Sequence, residues 1–283
     1  MDVHQSIDQW IGKSENSSER LAAFPANAMA ATLNRNGQVY KDGDPLPHLW
    51  HWLYFLQVFN LEDKGYDGHP KLGGFLPPLE LPRRMWAGSR LKFLAPMKIG
   101  ALLNKQSTIK SVKQKTGRSG ALAFVTVVHQ VHDGDILCLE EEQDIVYREK
   151  NNADIPEVVP ANAPSESTFS RDIDPDPVLL FRYSALTFNG HRIHYDQPFC
   201  TDIEGYKGLV VHGPLMATML LDLVRSELPN TMVSEFELRV LASVFENSKF
   251  SLHGEPNADG KTIKLWVRRD DGALAIQALA TIK

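Results

Sequence analysis

Cysteine is scarce. The 283 residues hold two, Cys138 and Cys200, too few for a disulfide framework or a four-cysteine metal site; two reduced, buried thiols are expected. There is no basic excess either: 30 Lys+Arg stand against 35 Asp+Glu, a net charge of -5. Phosphate-backbone binding needs a concentrated basic surplus, so nucleic acid is excluded as the main partner, though a local patch for a small phosphorylated ligand is not. Long apolar runs are missing. The most apolar stretch, LMATMLLDLV, is broken by Asp222 and falls well short of the ~20 residues of a membrane span. The start, MDVHQSIDQWIGKSENSSER, has no basic region followed by an apolar run and is no secretory signal. A soluble protein of a reducing compartment is expected, the cytoplasm or, in a eukaryote, the mitochondrial matrix.

What is present is an ordinary globular balance, 43% hydrophobic and 23% charged, which excludes disordered and fibrous classes. The length suggests two domains or a duplicated unit. Residues 149–178 carry five prolines and no sustained apolar periodicity, so they read as a linker. It separates an N-terminal domain, 1–148, from a C-terminal domain, 179–283. Each half offers a helix candidate followed by strand-like runs. In the first these are Leu49–Asn60, then Leu91–Leu94, Leu102–Lys113, Leu122–His132 and Ile136–Tyr147, with turn signals at Thr116-Gly117 and Asp133-Gly134. In the second they are Pro214–Glu227, then Ser234–Glu246, Lys249–Glu255, Ile263–Arg269 and Leu274–Ile282, with Asp271-Gly272 as a hairpin turn. A helix followed by an antiparallel meander, twice over, suggests a duplicated α+β unit. The 214–227 segment is apolar nearly all round, which marks a buried helix. A curved antiparallel sheet wrapped around it, the hot-dog architecture, would meet that requirement.

Two features could carry chemistry. The run LFRYSALTFNGHRIHYDQPF, 180–199, packs Arg182, Tyr183, Asn189, His191, Arg192, His194, Tyr195 and Asp196 between apolar residues. His191 and His194 are three apart, but no spacing supplies the further ligands and orienting partners a zinc site needs, and no metal is expected. The second feature is Val210-Val211-His212-Gly213-Pro214 at the start of the buried helix. Gly before Pro at the first helical position is a helix start, and its free amides and dipole suit a carbonyl oxygen gaining negative charge.

These residues carry a family resemblance. FRYSALTFNGHRIHYD resembles the signature of the MaoC-like, R-specific enoyl-CoA hydratases (hydratase 2). It is most similar to their subgroup of mesaconyl-C4-CoA or itaconyl-CoA hydratases and type-2 3-hydroxyacyl-thioester dehydratases. GGFLPPLELPRRMWAGSRLKFLAP and DGDPLPHLWHWLYF, in the first half, look like the same subgroup. The resemblance implies a double hot-dog and reversible hydration of a 2-enoyl thioester, a hydro-lyase reaction that needs no cofactor. The C-terminal half would be catalytic and the N-terminal half a degenerate unit shaping the pocket.

By the same resemblance His194 is the acid/base, as imidazole chemistry suits. Asn189 stands where the family has its aspartate; an amide takes no proton but can hold a water. The Gly213 amide would hold the thioester oxygen. Substrate contacts are expected from Tyr183, His212 and Trp86. Arg83, Arg84 and Arg90 from one half and Arg182 from the other would meet CoA phosphates or an acyl carboxylate, which favours a short C5 dicarboxylic acyl-CoA. A dehydratase of fatty-acid synthesis, a non-catalytic acyl-CoA-binding protein and a thioesterase are the rival readings. Asp44 and His48 of GDPLPH mimic the motif at the wrong spacing and are expected to be structural. Pairing into a homodimer is compatible with all of these.

Overall fold

The computed structural model describes residues 7–117, 120–149 and 160–283. Its elements are β1 Ser14–Arg20, α1 Ala23–Thr32, β2 Arg83–Phe93, β3 Leu102–Gly117, β4 Gly120–Asp133 and β5 Ile136–Arg148. They continue with β6 Phe169–Ile173, α2 Pro177–Leu186, α3 Gly213–Glu227, β7 Val233–Val240, β8 Phe250–Pro256, β9 Thr262–Arg269 and β10 Leu274–Ile282. The ten strands form one antiparallel sheet in the order β1-β3-β4-β5-β2-β7-β10-β9-β8-β6. Read outward from its middle, the order is β2-β5-β4-β3-β1 on one side and β7-β10-β9-β8-β6 on the other. The sequence order of the strands matches one for one between the halves, so the duplication is real at the level of sheet topology.

The halves join along β2 and β7, paired from Gly88↔Arg239 to Lys92↔Glu235. Gly88 sits in the left-handed region (φ 154°) at a register shift. A Cβ there would collide with the Leu238 carbonyl, so a side chain at 88 would force the central strands apart. The β4–β5 and β9–β10 hairpins turn at Gly134 and Gly272, both with positive φ, as Asp-Gly turns require.

α3 is buried from Leu215 to Val224 and packs on β6, β8 and β9. Asp222, the one acidic residue in that run, is no flaw in the core. It meets Arg225 of its own helix (2.8 Å), Arg171 of β6 (3.0 Å) and Arg35 from the N-terminal half. One carboxylate thus holds the two halves together. Asp222→Ala would strand three guanidiniums, each about a quarter to a third exposed. A loss of about 3 kcal/mol, at the low end for a broken buried pair, is expected in urea unfolding; a midpoint unchanged from wild type would show that the staple contributes nothing.

Two expectations need correction. The helix at 49–60 is a single 3-10 turn, Trp50–Leu53. Leu49 and Phe55 have φ of 69° and 56°, and His51 and Trp52 are tied to buried Glu141 of β5, so no helix can run through. The N-terminal counterpart of α3 is therefore nearly absent. α1, by contrast, matches α2 in element order and packs against it. Second, the 149–178 segment is not all linker: β6 and the start of α2 lie within it, with Asp176 capping α2 through Leu179 N at 2.7 Å. Residues 150–159 fall outside the described residues. GDPLPH, expected to be structural, forms no Asp–His pair: Asp44 accepts from Lys41 N, and His48 stacks on Phe93 at 3.8 Å. Both Cys138 and Cys200 are buried and free. Among the described residues no helix is long and apolar enough to cross a membrane.

Candidate active site

The motif loop after α2 and the strap before α3 converge on two stacked imidazoles. His194 and His212 lie ring on ring, centroids 3.6 Å apart and 18° from parallel. The strap is fixed by backbone bonds, Val210 N to Ile193 O (2.9 Å) and Val211 N to Val244 O (2.8 Å). His194 Nδ1 lies 2.6 Å from the Val210 carbonyl. A carbonyl only accepts, so Nδ1 carries the hydrogen and Nε2 is bare. Burial pushes the His194 pKa down to about 4, which keeps that nitrogen available as a base across the neutral range. His212 meets Ser184 Oγ at 2.9 Å and Tyr183 edge-on at 5.0 Å. Burial holds His212 neutral and raises the Tyr183 phenol.

Gly213 opens α3, so its amide belongs to the first turn, whose N–H groups have no intrahelical acceptor. A Cβ here would come within 2.8 Å of the Trp86 ring. Trp86, on β2 of the other half, bonds Ser89 Oγ (3.2 Å) and stands edge-on to Trp52 at 5.7 Å. Behind this wall sits Glu141, 2% exposed. It takes Ser89 Oγ at 2.7 Å, Trp52 Nε1 at 3.1 Å and His51 Nε2 at 3.1 Å. Burial opposes its ionisation, but the hydrogen bonds and the charge of His51 outweigh it and hold Glu141 at about 2. The carboxylate thereby locks the indole wall over Gly213.

Asn189 lies in the motif loop, with Oδ1 accepting from His191 N at 3.0 Å. The arginines divide sharply. Arg83 is buried against Glu204, with Nε 2.8 Å from the carboxylate and Nη2 2.6 Å from the carbonyl. Arg90 bridges Glu142 and Asp144, its cross-strand neighbours on β5. Arg182 is exposed on the outer side of α2. Arg90 is thus committed to two carboxylates, whereas Arg83 keeps a buried Nη1 without a hydrogen-bond partner beside its ion pair, and Arg182 faces solvent. Arg84 lines one cleft with Arg83, Asp67, His191 and Tyr66; its charge acts on Asp67, His69, His191 and the Tyr147 phenol, and no described carboxylate lies within ion-pair distance.

Asp67 and His69, which belong to no recognisable motif, lie against His191. A D-x-H spacing was there to be seen, but nothing local linked it to a motif 120 residues away. A cavity of about 600 Å³ lies elsewhere: Asp44, Leu46, His48, Trp50, Leu221 and Arg225 line it near the far end of α3.

Comparison with known proteins bears on this geometry. The model of a family described as hydroxyacyl-thioester dehydratase type 2 matches residues 49–246. The mesaconyl-C(4)-CoA hydratase of Chloroflexus aurantiacus is 46% identical over 270 residues, 95% of each chain. A MaoC-like dehydratase structure from Phytophthora capsici aligns with a TM-score of 0.73 at 13% identity over 98% of each chain. A Mycobacterium tuberculosis structure described as a double hotdog aligns at 0.55, with 16% identity over 96% of each chain. The two structures, at such identities, establish the double hot-dog fold. The chain belongs to the hydroxyacyl-thioester dehydratase type 2 family.

Proposed function

We propose that the protein is a hydro-lyase that reversibly hydrates a 2-enoyl-CoA thioester, its substrate a C5 dicarboxylic acyl-CoA of the mesaconyl-C4 type. The observation that carries the reading is a neutral histidine with a bare Nε2, His194, stacked on His212, the residue just before the first-turn amide of a buried helix. The Gly213 amide holds the thioester oxygen as it gains enolate charge. His194 takes a proton from water while the oxygen adds to the β carbon, and returns it to the α carbon. Stacked His212 and the Trp86 wall keep bulk water from the enolate.

Substrate class rests on Arg84 and on the 46% identical mesaconyl-C(4)-CoA hydratase. In a mesaconyl C4 thioester the free carboxylate sits on the β carbon, the atom that water attacks. Such a substrate needs a cation beside the water-holding histidines, and Arg84 stands there. A carboxylate bound by one guanidinium is worth about 1.5–3 kcal/mol. Arg84→Gln is therefore expected to lower kcat/KM for mesaconyl-C4-CoA about 10- to 100-fold and leave crotonyl-CoA nearly unchanged. Equal losses on both substrates would remove Arg84 from substrate selection, and a wild-type preference for crotonyl-CoA would sink the dicarboxylic reading.

A further inference from the structure

The loop at Gly65–Pro70 of the N-terminal half is seated on the motif loop of the other half. Asp67 O accepts from Arg192 N (2.8 Å) and Tyr66 O from Arg192 Nη1 (3.1 Å). Gly68, at φ 92°, lets the two backbones touch: a Cβ there would collide with the Gly190 carbonyl. Seated this way, the loop delivers Asp67 and His69. Asp67 Oδ2 lies 2.8 Å from His69 Nδ1, and Oδ1 accepts from His69 N at 3.1 Å. The His69 ring is 4.1 Å from that of His191, which stands edge-on to His194 at 5.4 Å. One donor atom from each of Asp67, His69 and His191 falls within 4.8 Å of the others, a span that a single water bridges.

This polar chain is costly to bury, and it ends on the catalytic histidine. Meanwhile Asn189 Oδ1 already accepts from His191 N, and its amide cannot take up the water's proton. Building on the hydratase reading above, we propose that His191 is the second group holding the attacking water, and that Asp67 and His69, supplied by the N-terminal half, are positioning residues that set its tautomer. The carboxylate missing at 189 is in effect provided from 67. Asp67 fixes the hydrogen of His69 on Nδ1, leaving its Nε2 to accept from His191, directly or through one water. The other His191 nitrogen is then bare and accepts one hydrogen of the attacking water, while His194 Nε2 accepts the second. The water's lone pair is left facing the β carbon. In the step itself one O–H and the C=C π bond break while C–O and C–H bonds form. The proton passes through His194 to the α carbon, His191 ends as it began, and nothing is oxidised.

The same three side chains also make a two-histidine, one-carboxylate set of the kind that binds divalent metals. Arg84 argues against it, because its positive charge acts on all three.

The test uses the full-length protein and mesaconyl-C4-CoA, with Asp67→Asn and His191→Gln. Asp67→Asn is expected to lower kcat about 10- to 100-fold with KM changed less than about threefold, in line with lost orienting partners of catalytic or ligating histidines. His191→Gln should lose at least as much, and both should melt within a few degrees of wild type. Treatment with EDTA should leave the wild-type rate unchanged. Unchanged kcat in both variants would overturn the proposal while leaving the hydratase reading intact. A loss on EDTA restored by Zn²⁺ would overturn it in favour of a metal. No wild-type turnover of any enoyl thioester would bring down the hydratase reading, and this inference with it.

Discussion

His194→Ala is expected to lower kcat/KM for enoyl-CoA hydration by about 10²- to 10⁴-fold, the contribution of a positioned general base, with the fold retained. The size follows from the tautomer. The Val210 carbonyl holds the hydrogen on Nδ1 at 2.6 Å, so the bare Nε2 is the base and no second group replaces it at the same atom. The pH profile adds a sharper criterion. Burial lowers the folded-state pKa to about 4. A base must be unprotonated, so kcat/KM of the wild type should stay level down to about pH 5 and fall as pH drops through about 4. A fall centred near ~6.5, the ordinary imidazole value, would mean that the titrating base is a solvated histidine. The residual activity of His194→Ala should lack the acid limb. An alanine variant within tenfold of wild type would remove His194 from the chemistry.

Gly213→Ala is the second large effect expected. A Cβ at 213 would lie 2.8 Å from Trp86 Cε3 and 3.0 Å from Cζ3, and Trp86 cannot yield freely because Ser89 and Trp52 hold it. Either the indole wall shifts or the first turn of α3 tilts away, and in both cases the amide loses its aim at the thioester oxygen. Loss of one such donor typically costs about 10²- to 10³-fold in kcat. The loss should appear in kcat more than KM, since the charge develops only in the transition state. Ser89→Ala, which frees Trp86 without adding bulk, should recover part of the activity when combined with Gly213→Ala. A Gly213→Ala enzyme with normal kcat would place the oxyanion contact elsewhere.

Much of this architecture was legible because the inner strands alternate and end in Asp-Gly turns, and because α3 is apolar on every side. The edge strands were not. β1 reads SENSSER and is exposed along nearly its whole length; backbone pairing to β3 holds it, with side-chain bonds of Ser18, Glu19 and Arg20, and neither leaves a trace in composition. The 49–60 segment has a helix-like density of apolar residues, but His51 and Trp52 bond a buried carboxylate about 90 residues away, and tertiary contacts decided its shape. In the site, His194, Asn189 and Gly213 are bound to local sequence motifs and could be named. The arginines could be named as a type and not by their commitments. Arg83 meets Glu204 and Arg90 meets Glu142 and Asp144 only once the chain has folded. Asp67 and His69 come against His191 because Gly68 lets one loop lie on another and Arg192 bonds it there.

The central claim is that water adds across a conjugated thioester at His194. The measurement is the fate of mesaconyl-C4-CoA incubated with the purified protein in H₂¹⁸O and, separately, in D₂O. The account predicts loss of the conjugated enoyl band, one ¹⁸O on the β carbon, one solvent deuterium on the α carbon and an intact thioester, all abolished in His194→Ala. Release of free CoA thiol, or binding with the enoyl band unchanged, would contradict it.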